Sequence, residues 1–134
     1  MVILDASVTL AALLPEQNSD RARDILLQVA AEGASVPGLW PLEIGNVLLM
    51  VQRRGRISAE ERLRALDGLD RLPIAIDPET AARARTHIAP LAERHGLTLY
   101  DAAYLELALR LVLPLASFDA SLCRAATAAG VALL

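Results

Sequence analysis

The sequence predicts an α/β fold in which a parallel sheet, open and doubly wound, is covered by helices on both faces. Short apolar runs alternate with longer segments that carry apolar residues at helical spacing. Because each parallel neighbour is reached by a crossover, this alternation implies a sheet buried on both faces. Composition agrees: 54% of residues are hydrophobic and 22% charged, yet only 3% are aromatic, so Leu and Ala must do most of the packing. At 134 residues the chain has room for one domain, residues 1–134, with one core.

Val2, Ile3 and Leu4 form an apolar run that ends at Asp5, and ASVTLAALL continues it as a helix. Ser19 to Glu32 reads as a longer helix with Ala22, Ile25, Leu26, Val29 and Ala30 on one stripe and Gly33 as its stop. Arg21, Arg23 and Asp24 then face water. Ala34 to Pro37 is a second strand. Pro41 suits the first turn of a helix that passes Leu48 and Val51 and ends at Arg53, before Gly55. Ser58 and Glu61 have capping-box spacing and open a helix to about Leu72, with Gly68 weakening its middle.

The run PIAI is a third strand. Asp77 and Pro78 read as N-cap and first-turn proline of a helix that continues to Gly96, kinked or broken at Pro90. Leu99 to Leu113 is helical, Pro114 to Phe118 a fourth strand, Asp119 to Ala129 a helix closed by Gly130, and Val131 to Leu134 a last strand.

Several classes of function are excluded. Net charge is -3 and the isoelectric point about 5.3, so no global positive field draws the chain to nucleic acid or to an anionic membrane. All 13 basic residues are Arg, which removes lysine chemistry such as Schiff bases and the P-loop lysine. Cys123 is the only cysteine, so neither an internal disulfide nor a thiolate zinc cage forms. No apolar stretch reaches the ~18 residues of a membrane span, and no basic leader precedes Asp5. A soluble, cytoplasmic protein is expected.

Four acids converge in such a fold. Strand-to-helix junctions lie on the carboxyl edge of the sheet, where ligands bind at the point of strand-order reversal. Asp5 ends strand one and Asp119 follows strand four. If those strands are neighbours, their ~4.8 Å spacing brings both carboxylates within reach of one metal ion. Glu43 lies in the first turn of the helix leaving strand two, and Asp101 begins the helix that delivers the chain to strand four, so both belong to the same edge.

Each acid also has a structural reading. Asp5 and Asp119 fit as N-caps, Asp101 pairs with Thr98 in a capping-box pattern, and Glu43 complements its helix dipole. As a set they need more than that, because two carboxylates ~4 Å apart at an effective dielectric near 20 repel by about 4 kcal/mol. A cation or a shifted protonation must relieve them. An all-oxygen donor set of this kind suits Mg²⁺ or Mn²⁺. Zinc is disfavoured, since His87 and His95 lack paired ligand spacing and fit a solvated helix face. Ser7, two residues past Asp5, can bond that acid or serve as an ordinary first-turn residue. Asn46 stands three residues after Glu43 on the same helix face, among Ile44, Val47 and Leu48, and suits a supporting hydrogen bond.

The segments DAS at 5–7, PLEIGN at 41–46, YDAAYLELA at 100–108 and LASFDASLCRAA at 115–126 resemble the PIN-domain ribonucleases. More narrowly, they are similar to the VapC toxins of toxin–antitoxin pairs. The resemblance spans nearly the whole chain. It implies a three-layer α/β/α fold with strand order 3-2-1-4-5, and Mg²⁺- or Mn²⁺-dependent cleavage of RNA that leaves 5′-phosphate and 3′-hydroxyl ends. It also implies that Asp5, Glu43, Asp101 and Asp119 form an acidic quartet that holds the metal. Ser7 and Asn46 support them, joined by Ser117 where relatives often carry threonine. A VapB-like antitoxin and a homodimer are the partners it implies. Asp77 also follows a strand, but one at the sheet edge in that order, and is left as an N-cap.

Arg53, Arg54 and Arg56 fit either an RNA-backbone contact or a helix dipole complement, and Trp40 either an interface or, preferably, the core. Two other functions use the same framework. Phosphoaspartate chemistry also places an Asp at the end of strand one, and the missing lysine counts against it. An inactive PIN-like binding module is the third reading, and retention of all four acids counts against that.

Overall fold

The structure is a computed structural model that describes residues 1–17 and 19–134. Four strands, β1 (Val2–Leu4), β2 (Ala34–Val36), β3 (Ile74–Ile76) and β4 (Leu115–Ala116), form one parallel sheet in the order β3-β2-β1-β4. The reversal of strand order therefore falls between β1 and β4, as the family resemblance implies. The helices are α1 (Ala6–Leu13), α2 (Asp20–Glu32), α3 (Trp40–Arg53), α4 (Ala59–Asp70), α5 (Thr80–Arg83), α6 (Ala89–His95), α7 (Leu99–Leu111) and α8 (Ala120–Ala128).

Local chemistry sets most boundaries. The Ser19 side chain accepts from the Ala22 N–H to open α2, and Ser58 and Glu61 form the full capping box of α4. Gly33 closes α2 at φ +84°, where a Cβ would also stand 3.3 Å from the Pro73 carbonyl oxygen. β1 and β2 are buried throughout, while β3 is a half-exposed edge strand. Helix α7 is buried continuously from Ala102 to Ala108. Its small residues let it lie close to β1 and β4, around Ile3, Leu4, Leu105, Leu107 and Leu115. Trp40 is part of this core.

Three expectations need correction. The segment 131–134 is not a full strand: it lies beside β4 through a single bridge, Leu115 to Leu133, with Leu115 N–H donating to the Ala132 carbonyl and Leu134 N–H to that of Leu115. It occupies the fifth place of the expected order without a ladder of its own, because β4 offers only two residues to pair with. The helix expected from Asp77 to Gly96 is instead α5, a π-helical segment (Ala84–Ile88) and α6. Pro90 lacks an N–H and its ring crowds the carbonyl four residues back, at Thr86 inside the π segment, so the helix widens there. Helix α7 stops at Leu111 rather than Leu113, because Val112 turns into the left-handed region at φ 54°.

Candidate active site

The carboxyl edge gathers the expected acids. Asp5 continues the β1 ladder by donating its N–H to the Ala116 carbonyl at 3.0 Å, and β1 pairs directly with β4. Although Asp5 sits at the N-cap of α1, its carboxylate makes no capping bond. Its Oδ2 instead accepts from two hydroxyls, Ser7 Oγ at 2.5 Å and Ser117 Oγ at 2.7 Å. Those hydroxyls in turn accept from the Phe118 and Asp119 N–H groups, each at 3.0 Å. Two serines thus tie the β4–α8 loop to the end of β1 and fix the Asp5 rotamer through one oxygen.

Asp119 does cap its helix, Oδ1 accepting from Leu122 N–H at 2.7 Å. Asp101 opens α7, its N–H donating to Thr98 Oγ1 at 3.1 Å. Both of these structural roles coexist with membership of the cluster. Glu43 lies in the first turn of α3, where its Oε1 accepts the phenol of Tyr104 at 2.6 Å. Asn46, the partner expected for Glu43, is exposed on α3 and does not bond it. Tyr104 takes that place. The sequence holds a signal for this, since a phenol among Ala103, Leu105 and Leu107 must find an acceptor.

Three of the four acids are perturbed, in part by neighbouring carboxylates. Burial holds the Asp5 carboxyl above the usual range, outweighing the two serine bonds, and the charge of Asp119 adds to the rise. Glu43 is raised by burial and then by Asp5 and Asp101, against the lowering effect of its Tyr104 bond. Asp101 is raised by burial and by the charges of Asp119 and Asp5. The Tyr104 hydroxyl, buried and bonded to a carboxylate, is pushed well above its ordinary range. Among the described residues no arginine salt bridge reaches any of the four acids.

An all-oxygen set with uncompensated negative charge fits a hard divalent cation in donor type and charge. It does so without a preformed cage: among the described residues no three His, Cys, Asp or Glu side chains stand ready to hold an ion together.

Other residues fall outside the cluster. Asp77 does not simply cap a helix. Its N–H donates to the Val36 carbonyl, and its carboxylate takes Thr80 Oγ1 at 2.8 Å and Arg110 at 2.8 and 3.2 Å. Burial, the largest single effect, would raise its pKa, but the bonds from Arg110, Thr80 and the Glu79 N–H together with the Arg110 charge outweigh it and lower it. Arg110 also bonds Glu106 and Glu79, and Glu106 bonds Arg83 at 2.6 Å. Sequence reading missed this network. Arg53, Arg54 and Arg56 are exposed at the far end of α3. With ten residues at about 1.5 Å each between Glu43 and Arg53, they stand about 15 Å from the acid, and Arg56 pairs with Glu16. His87 is exposed and shares a hydrogen bond with Thr86. No helix among the described residues is long and apolar enough to cross a membrane.

Comparison with known proteins agrees with this architecture. Ribonuclease VapC3 of Pyrobaculum aerophilum is 32% identical over 107 residues, covering 80% of each chain. Ribonuclease VapC9 of Mycobacterium tuberculosis is 36% identical over 108 residues, covering 81% of this chain and 77% of its own. Among solved structures, FitAcB of Neisseria gonorrhoeae superposes with a TM-score of 0.68 at 20% identity, over 100% of this chain and 96% of its own. VapBC2 of Rickettsia felis, bound to a DNA fragment from its promoter, gives 0.61 at 16% identity over 89% and 88%. These two likenesses are of fold. The PIN domain family matches residues 2–128, and the chain belongs to that family, alongside the proteins named VapC.

Proposed function

We propose that the chain, as one domain over residues 1–134, is a metal-dependent endoribonuclease that hydrolyses RNA phosphodiester bonds, and that it is the toxin of a VapBC-like pair. The observation that carries this is the set of four carboxylates, Asp5, Glu43, Asp101 and Asp119, brought to one sheet edge from four distant segments with no arginine salt bridge to them among the described residues. The names of the VapC relatives support ribonuclease activity. The solved VapBC2 complex supports a VapB-like antitoxin as partner. A homodimer and a cytoplasmic setting belong to the same reading.

Asp5, Asp101 and Asp119 would hold Mg²⁺ or Mn²⁺, with Glu43 as a further ligand or as the group that orients water. Such an ion, when bound, would supply Lewis acidity and make a neighbouring water more acidic. Ser7 and Ser117 keep Asp5 in one rotamer, so its carboxylate is oriented before the ion or substrate arrives. Tyr104 does the same for Glu43. The N-termini of α1, α3, α7 and α8 lie on this edge and favour an incoming phosphate. Asn46 is free to turn toward the substrate from the exposed face of α3.

The test is cleavage of a labelled RNA with and without Mg²⁺ or Mn²⁺, using the parent and Asp5→Asn. Metal-dependent cleavage with 5′-phosphate products, lost in a folded Asp5→Asn protein, is the expected result. No cleavage of any RNA, or cleavage indifferent to Asp5, would overturn the proposal.

A further inference from the structure

The chain holds four aromatic residues, and the fold treats them in two ways. Tyr104 and Trp40 are 0% and 6% exposed, whereas Tyr100 and Phe118 are 65% and 40% exposed. Each exposed ring immediately precedes a site acid, Asp101 or Asp119. Tyr100 also walls a cleft of about 390 Å³ together with Leu39, Leu42, Leu99 and Ala103. That volume is at the small end of the roughly 300–1,000 Å³ range of ligand pockets, and suits a flat heterocycle better than a folded segment.

The Thr80 and Asp77 side chains of the cleft are already engaged. Thr80 Oγ1 accepts from the Gly38 N–H and donates to Asp77, and Asp77 is held by Arg110. The cleft therefore offers an occupant apolar walls and a ring face, which is how bases are held without being read for sequence.

Position along the edge completes the picture. The cleft lies over the ends of β2 and β3, where Gly38 and Asp77 follow those strands, while Phe118 follows β4; Asp5 at the end of β1 stands between them. In the strand order the ends of β2 and β3 lie two to three spacings of ~4.8 Å from that of β4, so the cleft that Tyr100 walls and the exposed Phe118 fall on opposite sides of β1. We propose that Tyr100 and Phe118 are stacking platforms for two unpaired RNA bases, one on either side of the phosphate presented to the acids. The substrate segment must then be single-stranded and splayed, as in a loop. This rests on the ribonuclease reading above and adds two base-holding residues, Tyr100 and Phe118, to the same site.

The test uses a single-stranded octanucleotide RNA carrying 2-aminopurine. Its binding is measured with the Asp5→Asn protein in Mg²⁺, and steady-state cleavage with the parent background. Tyr100→Ala and Phe118→Ala should each raise Kd and KM by about 5- to 150-fold, with kcat changed less than about threefold and 2-aminopurine quenching lost. Tyr100→Phe and Phe118→Tyr should keep parental binding, and the same RNA in a duplex should bind the parent no better than the alanine variants bind the single strand. Both side chains are exposed, so the variants fold.

If the parent cleaves RNA and both alanine variants keep its KM and Kd, the stacking proposal alone fails. It also fails if Tyr100→Ala abolishes self-association by light scattering while RNA affinity is unchanged, since the face then belongs to a second copy. A parent that neither binds nor cleaves RNA overturns the ribonuclease reading and this inference together.

Discussion

Replacing Arg110 by alanine removes the guanidinium on which three acids converge. Arg110 donates to Asp77 at 2.8 and 3.2 Å, to Glu106 at 2.9 and 3.2 Å and to Glu79 at 3.1 Å. The Asp77 and Glu106 side chains are only 7% and 6% exposed. Glu106 keeps Arg83, but Asp77 is left with hydroxyl and backbone donors alone. Stranding one partner of a buried pair costs about 3–5 kcal/mol. We take the lower end, about 3 kcal/mol, because Arg83 still compensates Glu106. For a chain of 134 residues, unfolding entropy of about 2.1 cal/mol/K per residue converts this to a Tm loss of about 10 °C.

The pH dependence gives a second arm. Arg110 holds the Asp77 carboxyl below its unfolded value, so its contribution is present above the unfolded pKa, about 3.9, and is lost as pH falls through the folded pKa. The gap between parent and Arg110→Ala should therefore be widest near neutrality and narrow below about pH 4. Urea unfolding at pH 7, 5 and 3 measures it. A loss under about 1 kcal/mol at pH 7, the level of a surface ion pair, or a gap that widens in acid, would refute the reasoning.

Other expectations follow from the same geometry. Asp101→Asn removes one raised acid from the cluster. A carboxyl whose folded pKa is raised contributes stability below its unfolded pKa and loses it as pH rises through the folded value. The metal-free variant should therefore melt above the parent at pH 7 and match it near pH 3, while cleavage is lost; differential scanning calorimetry and an RNA assay read both. Tyr104→Phe leaves Glu43 without its side-chain donor and should lower Mn²⁺ affinity or kcat/KM by roughly 10- to 100-fold, as followed by calorimetric titration and cleavage kinetics. Val112 holds φ 54° while 87% exposed, so Val112→Gly removes left-handed strain of about 1–2 kcal/mol at little packing cost. Its thermal midpoint should rise by a few degrees.

Much of the fold was legible because its signals are local. The apolar run Val2–Leu4, the capping box of Ser58 and Glu61, and Gly33 at the end of α2 each act within about four residues. They hold whatever the rest of the chain does. The four acids were legible for a related reason: a parallel sheet sends every strand-to-helix junction to one edge, so Asp5, Glu43, Asp101 and Asp119 are assigned to it before any contact is known. Pro90 announced an interruption, though not that a π-helical segment would absorb it.

Partners across the fold were not legible. Tyr104 reaches Glu43 from 61 residues away and Arg110 reaches Asp77 from 33, and neither pairing follows from spacing along the chain. Asn46 was the local candidate for Glu43 and lost to Tyr104, whose helix is pressed into the core and has nowhere else to send its hydroxyl. The chain by itself determined that helices alternate with short strands, that a parallel sheet joins them, and that its acids fall on one rim, but not every helix end, as the π-helical segment before Pro90 and the stop at Leu111 show. Only the tertiary structure decided which hydroxyl orients which carboxylate and which arginine neutralises which acid. Those choices depend on how two remote helices cross, and every unpaired polar group buried at the crossing must take the partner found there.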